Sequence, residues 1–125
     1  NEPVPETRGQ VVRCIYESLA LRYRQVFDNL RKLSDHPMDV LHVIGGGSRN
    51  HMLNQWTANA IGVPVIAGPS EATAIGNIML QALTSGAADS VPAMRQVIRK
   101  SIKMQGYLSE NEAAWNEAYQ KFVNL

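Results

Sequence analysis

Apolar residues recur at steps of three and four along the first part of the chain, at Val12, Ile15, Leu19, Tyr23, Val26, Leu30 and Leu33. This spacing predicts an amphipathic helix with one packed face and with Arg13, Arg22, Arg24, Arg31 and Lys32 largely in water. Pro3 and Pro5 keep the entry extended, Thr7 and Gln10 stand at capping-box spacing, and Ser34-Asp35-His36-Pro37 stops the run, so the helix is expected from about Arg8. The period then changes. Val40-Leu41-His42-Val43-Ile44 is nearly continuous apolar sequence ending at Gly45-Gly46-Gly47, which reads as a central strand covered on both faces. From Arg49 to Ile61 the helical period returns, with Met52, Leu53, Trp56 and Ala60 on one face and Gly62 as its stop. Val63-Pro64-Val65-Ile66 reads as a second strand, with Pro64 near its start where a missing donor is tolerated. Strand, glycine loop, helix and strand together make a right-handed crossover joining parallel neighbours.

Past Gly68-Pro69-Ser70, with Ser70 as a candidate cap, a helix from Glu71 to about Thr84 is expected to bury Ile75, Ile78, Met79, Ala82 and Leu83 and to close at Gly86. Ser90-Val91-Pro92 opens another, carrying Met94, Val97, Ile98 and Ile102, before a loop around Gly106. Ser109 and Glu112 form a second capping-box pair ahead of a last helix with Ala114, Trp115, Ala118, Tyr119, Phe122 and Val123. The expected inventory is five helices and two strands in one α/β unit over residues 1–125, without internal repeats or low-complexity linkers. A parallel sheet normally has about five or six strands. The sheet is therefore expected to be incomplete, with further strands supplied by chain outside this sequence. The sheet edge or apolar helix face left uncovered is expected to drive self-association.

Hydrophobic residues at 45% and charged residues at 18% give an ordinary globular composition. Twelve Lys and Arg against eleven Asp and Glu leave a net charge of +1, which argues against a nucleic-acid backbone or an anionic membrane as partner. Cys14 is the one cysteine and cannot form an internal disulfide; no Cys/His cluster has metal-ligand spacing, so a cytoplasmic chain without a metal site is expected. No apolar run approaches the roughly 18 residues of a membrane span. Residues 1–10 lack a signal-peptide pattern, and the start at Asn1 suggests a piece of a longer or processed chain.

The chemistry concentrates at Ile44-Gly45-Gly46-Gly47-Ser48-Arg49-Asn50, where a strand ends and a helix begins. Consecutive glycines let the backbone approach a ligand without side chains in the way, and the positive end of the following helix suits a phosphate or another anion. Ser48 can cap that helix or bond the ligand. A Walker-type phosphate loop needs Gly-Lys-Ser/Thr, and no lysine stands between Lys32 and Lys100. The dinucleotide fingerprint fails as well, because Asn50 occupies the place of its third glycine. The glycines taken alone also fit a tight turn without any ligand.

The segments from His42 to Asn50, Leu53-Asn54-Gln55, Ala58, Gly62, Pro64-Val65-Ile66-Ala67-Gly68-Pro69 and Glu71-Ala72-Thr73-Ala74-Ile75-Gly76-Asn77 resemble the C-terminal domain of the rhamnulokinase family. That family sits within the FGGY-type sugar kinases, alongside glycerol kinase and xylulokinase. Upstream Tyr16-Glu17-Ser18-Leu19-Ala20 and downstream Trp115, Ala118 and Tyr119 extend the resemblance over nearly the whole chain. It implies the C-terminal part of an actin/hexokinase-like (ribonuclease H-like) ATPase domain, helix-rich with a short incomplete parallel sheet. It also implies an ATP-dependent transfer of the γ-phosphate to a ketose, with ATP or ADP and Mg²⁺ bound in the full-length parent. The residues implied to meet the adenine nucleotide are Gly45, shaping the turn, Gly46 and Gly47 against the phosphates, Ser48, and Asn50 beside the adenine. Asn50 also fits a plain helix cap. Glu71 and Thr73 are implied to brace the loop, and Gly76 to let its helix pack closely. The catalytic aspartate and the ketose-binding domain are expected upstream of this sequence, so the chain alone is expected to be inactive. A noncatalytic module binding a nucleotide or sugar phosphate is the alternative.

The remaining candidates have plainer readings. His42 is expected as a hydrogen-bonded core histidine, His51 as a solvated first-turn residue, and His36 as a turn residue. Arg49 is the cation of the loop, fit either to reach a phosphate or to stay in solvent. Cys14 reads as inert packing. Asp28, Asp35, Asp39 and Asp89 have no motif around them, so none is assigned as a catalytic base.

Overall fold

A computed structural model of the chain describes residues 4–124. The extended entry expected at Pro3 lies outside the described residues. Helix α1 runs Arg8–Leu33, and its capping box forms: Gln10 N donates to Thr7 Oγ1 at 3.2 Å, and Thr7 N donates to Gln10 Oε1 at 2.9 Å. Strand β1 (Leu41–Val43) leads through a 3-10 turn (Gly46–Arg49) into α2 (His51–Ile61), which Gly62 ends in the left-handed region at φ 70°. β2 (Val65–Ala67), α3 (Ala72–Thr84), α4 (Val91–Ser101), β3 (Gln105–Tyr107) and α5 (Glu112–Val123) complete the order.

β1 and β2 pair in parallel, as the crossover required, in the register Leu41 to Val65 and Val43 to Ala67. β3 then pairs antiparallel with β2, placing Tyr107 opposite Val65. The sheet is therefore mixed and three-stranded, not the two-stranded parallel sheet expected. Sequence reading put a loop at β3 because three residues centred on Gly106 carry no strand pattern; only β2 gives them a ladder to join.

The core lies on one face of this sheet. Phe27 of α1, Ala58 and Ile61 of α2, Val63, Val65, Ala67 and Tyr107 form it, with Leu41, Val43 and Met38 against its margin. Ala20 and Ala58 are both fully buried, as expected where two helices approach closely through small side chains. α5 leans on this layer through Trp115, whose ring lies 6.1 Å from that of Trp56, and through Tyr119 beneath the Arg24 guanidinium at 4.1 Å. The other sheet face carries the row His42, Ile66 and Gly106 and is open: His42 is exposed, not a core histidine. β1 is consequently covered on one face, not two.

Two helices depart further from expectation. The predicted stripe of α1 stays in the open, with Val12 at 47%, Ile15 at 50% and Leu30 at 49% exposure, while Ala20, Leu21 and Phe27 are buried instead. α3 has no buried residue, and Ile78 is 60% exposed. Two caps also differ. Ser70 makes no capping bond and Glu71 takes the N-cap position of α3; Ser109 Oγ is buried without a partner among the described residues; and Asn111 precedes α5 at φ 55°. The expected cap of α4 does form, with Ala93 N donating to Ser90 Oγ at 3.3 Å.

Candidate functional site

The two parallel strands end side by side, which is where open α/β sheets build their sites. Gly68 N donates to Val43 O at 2.8 Å and Gly45 N to Pro69 O at 3.1 Å, lacing the two strand exits together. Gly45 sits at φ 75°, ψ −161°, a conformation open only to glycine, and from it the chain turns into the 3-10 segment. Ser48 closes that turn on itself. Its N donates to Gly45 O at 3.1 Å and its Oγ to the same oxygen at 2.7 Å, so the hydroxyl caps no helix.

Asn50 is the N-cap of α2: its Oδ1 accepts from Leu53 N at 3.1 Å. Its Nδ2 donates to Tyr16 Oη of α1 at 2.9 Å. One turn on, the buried Asn54 reaches back, its Nδ2 donating to Ser48 O at 3.0 Å and to Gly47 O at 3.3 Å. Asn54 therefore holds the loop from beneath, a role that sequence reading did not assign. The signal available was an amide four residues after the cap, on the face of the helix that looks back at the loop.

Gly46 and Gly47 behave differently from Gly45. Both are exposed and neither has positive φ. A Cβ at Gly46 would meet no atom within 4 Å, and one at Gly47 only Val43 Cγ1 at 3.8 Å, an ordinary contact. Nothing in the described chain demands glycine at these two positions. The space above them is open at the positive end of α2.

Glu71 does reach the loop. Its Oε1 lies 3.3 Å from Arg49 Nη2, which also donates to Ser70 Oγ at 3.1 Å. With the two side chains 71% and 72% exposed, this ion pair contributes about 1 kcal/mol at most, and the backbone bonds between the strand exits carry most of the bracing. Thr73 is exposed. A Cβ at Gly76 would find nothing within 4 Å, so the close packing expected there is not made by the described residues.

A shallow cavity of about 380 Å³ opens beside the loop, lined among others by Ser48, Arg49, His51, Pro69, Glu71 and Lys103. Of the residues expected to meet a nucleotide, only Ser48 lines it; Gly46 and Gly47 lie at the loop surface and Asn50 turns toward α1. His51, expected in solvent, is exposed yet engaged, its Nδ1 2.6 Å from Tyr107 Oη of β3. No group of three His, Cys, Asp or Glu among the described residues could hold a metal ion. No helix of the described residues is long and apolar enough to cross a membrane.

Residues 2–85 match the C-terminal domain of the FGGY family of carbohydrate kinases. Rhamnulokinase of Bacteroides thetaiotaomicron is 65% identical over 123 residues, 98% of this chain and 25% of that protein. Rhamnulokinase of Klebsiella pneumoniae subsp. pneumoniae is 46% identical over 98 residues, 78% of this chain and 20% of that protein. The chain thus spans about a quarter or less of the length of these curated relatives. Xylulose kinase from Rhodospirillum rubrum superposes with a TM-score of 0.73 over 99% of this chain and 25% of that one, at 19% identity. That likeness carries the fold, the actin/hexokinase-like architecture of these kinases. The chain belongs to the FGGY family of carbohydrate kinases, and its two parallel strands and glycine loop fall within the family's C-terminal domain.

Proposed function

We propose that this chain is the adenine-nucleotide-binding segment of an ATP-dependent kinase that transfers the γ-phosphate to a ketose, L-rhamnulose, giving L-rhamnulose 1-phosphate in the cytoplasm. The observation that carries the reading is the pair Gly46 and Gly47. The fold asks for glycine at Gly45 through its backbone angles but places no demand on the next two residues, whose open faces suit close approach by phosphate oxygens. Ser48 fixes the turn by holding Gly45 O, and Asn50 offers its remaining amide hydrogen and lone pair to the adenine edge. Glu71 reaches the loop from the neighbouring strand exit through its ion pair with Arg49.

Mg²⁺ travels with the nucleotide, and the chemistry it supplies is neutralisation of phosphate charge. Among the described residues the one carboxylate lining the cavity, Glu71, is paired with Arg49, so carboxylates for the ion and the base for the sugar hydroxyl are expected from sequence outside these residues. The ketose is bound there as well. The substrate reading leans on the rhamnulokinase relatives, and the isolated chain is expected to show no phosphorylation of L-rhamnulose.

The test is calorimetric titration of the full-length protein with ADP. Gly47→Val places a branched side chain where phosphate should approach, and affinity should fall at least tenfold, about 1.4 kcal/mol. Circular dichroism must first show the variant folded. A Gly47→Val protein that binds ADP as tightly as the parent reduces the loop to a turn.

A further inference from the structure

We propose that Tyr16 is a positioning residue for base recognition, acting through the side-chain amide of Asn50; the proposal rests on the reading of Asn50 given above. Capping α2 uses only Asn50 Oδ1, which accepts from Leu53 N and so fixes which end of the amide is oxygen. The cap asks nothing of Nδ2. Nevertheless that nitrogen donates to Tyr16 Oη at 2.9 Å, across 34 residues of sequence, and both side chains are half-buried. The second bond fixes the amide in a plane that the cap alone leaves free to swing.

Tyr16 is itself held from behind. Its ring stands edge-on to Trp56, 6.5 Å away at 81°, and Trp56 lies 6.1 Å from Trp115 of α5. The hydroxyl is therefore presented from a packed aromatic row, not from a mobile side chain. With one lone pair and one hydrogen committed, Asn50 keeps one acceptor and one donor. That pair matches a purine edge presenting a donor beside an acceptor, as adenine does with N6 and N1. Guanine presents the reverse there, O6 as acceptor and N1–H as donor, and leaves the Asn50 oxygen facing an oxygen and its N–H facing another N–H. Tyr16 thus governs preference for adenine over guanine without touching the base.

The test compares ATP with GTP as phosphoryl donors in the full-length protein. Asn50→Asp keeps the capping oxygen and removes the donor, and its added charge acts on both nucleotides alike, so the ratio of kcat/KM values isolates base reading. That ratio is expected to fall at least tenfold, the effect of one lost charge-free hydrogen bond with an unpaired partner. Tyr16→Phe keeps the ring and its packing and should lower the ratio about three- to tenfold, with the loss in KM for ATP and not in kcat. Near-ultraviolet circular dichroism of Trp56 and Trp115 checks that the aromatic row is intact. If Asn50→Asp collapses the preference and Tyr16→Phe leaves it whole, Tyr16 does not position Asn50 and the proposal is overturned while the Asn50 reading stands. If neither variant changes the ratio, Asn50 is a helix cap alone, and the base reading and this proposal fail together.

Discussion

α1 with α2 and the sheet, and α3 with α4, present the same kind of sequence and meet different fates. Both stretches carry apolar residues at helical spacing, yet Phe27, Ala58, Ile61 and Val65 are buried together while α3 buries nothing fully and α4 only Met94. The difference lies in what each helix finds beside it. α2 is tethered between two paired strands by short connections and cannot avoid the sheet, and α1 joins the same core through Phe27. α3 leaves the sheet at Glu71 and, among the described residues, buries no side chain against another element. A helical stripe marks a surface that gains by burial; it does not name the partner.

The sharpest way to break this comparison is to truncate one apolar side chain in each region. Phe27→Ala should cost about 3–5 kcal/mol, whereas Ile78→Ala should stay within roughly 0.5 kcal/mol, by urea unfolding followed in the far ultraviolet. Equal losses would mean that α3 is as well packed as the core. Asn54→Ala tests the join between core and loop. It leaves the Ser48 carbonyl without its buried donor, while Gly47 O keeps Asn50 N, and should cost roughly 1–3 kcal/mol, with weaker ADP binding in the full-length protein.

The open stripe of α1 sharpens the comparison from outside. Light scattering of the isolated chain is expected to show self-association, and Leu19→Glu with Val26→Glu should weaken it at least tenfold, about 1.4 kcal/mol. A monomeric parent chain at high concentration would show that the stripe tolerates water. The smallest effect concerns the seam with α5. Burial, with Asp28 adding to it and Arg24 opposing, raises the Tyr119 pKa above its ordinary value. The neutral phenol is thus favoured by folding, and its contribution is complete below the unfolded pKa and lost as pH rises through the folded one. Stability should decline in that alkaline window, and Tyr119→Phe should flatten the decline in thermal melts taken across it.

Much of the site was legible in residues. Thr7 and Gln10 announced a capping box that forms as read, because a cap depends on local geometry alone. The glycine loop between strand and helix and the parallel pairing of its two strands also stand where they were expected. Asn54 was not legible, since nothing local separates a buried amide beneath a loop from one in solvent. His42 was misread for a related reason: the continuous apolar run was expected to be a central strand covered on both faces, but β1 stands at the edge of the described sheet, which is covered on one face only.

The sequence by itself therefore determined the five helices, the first two strands, the caps of α1 and α4 and the glycine loop, all of which depend on neighbours within a few residues. Tertiary structure alone decided that β3 exists, that α1 turns Ala20 and Phe27 inward in place of its broader stripe, and that Asn50 meets Tyr16. Those outcomes depend on which surfaces arrive beside one another across tens of residues, and a period of 3.6 or 2 carries no record of the partner.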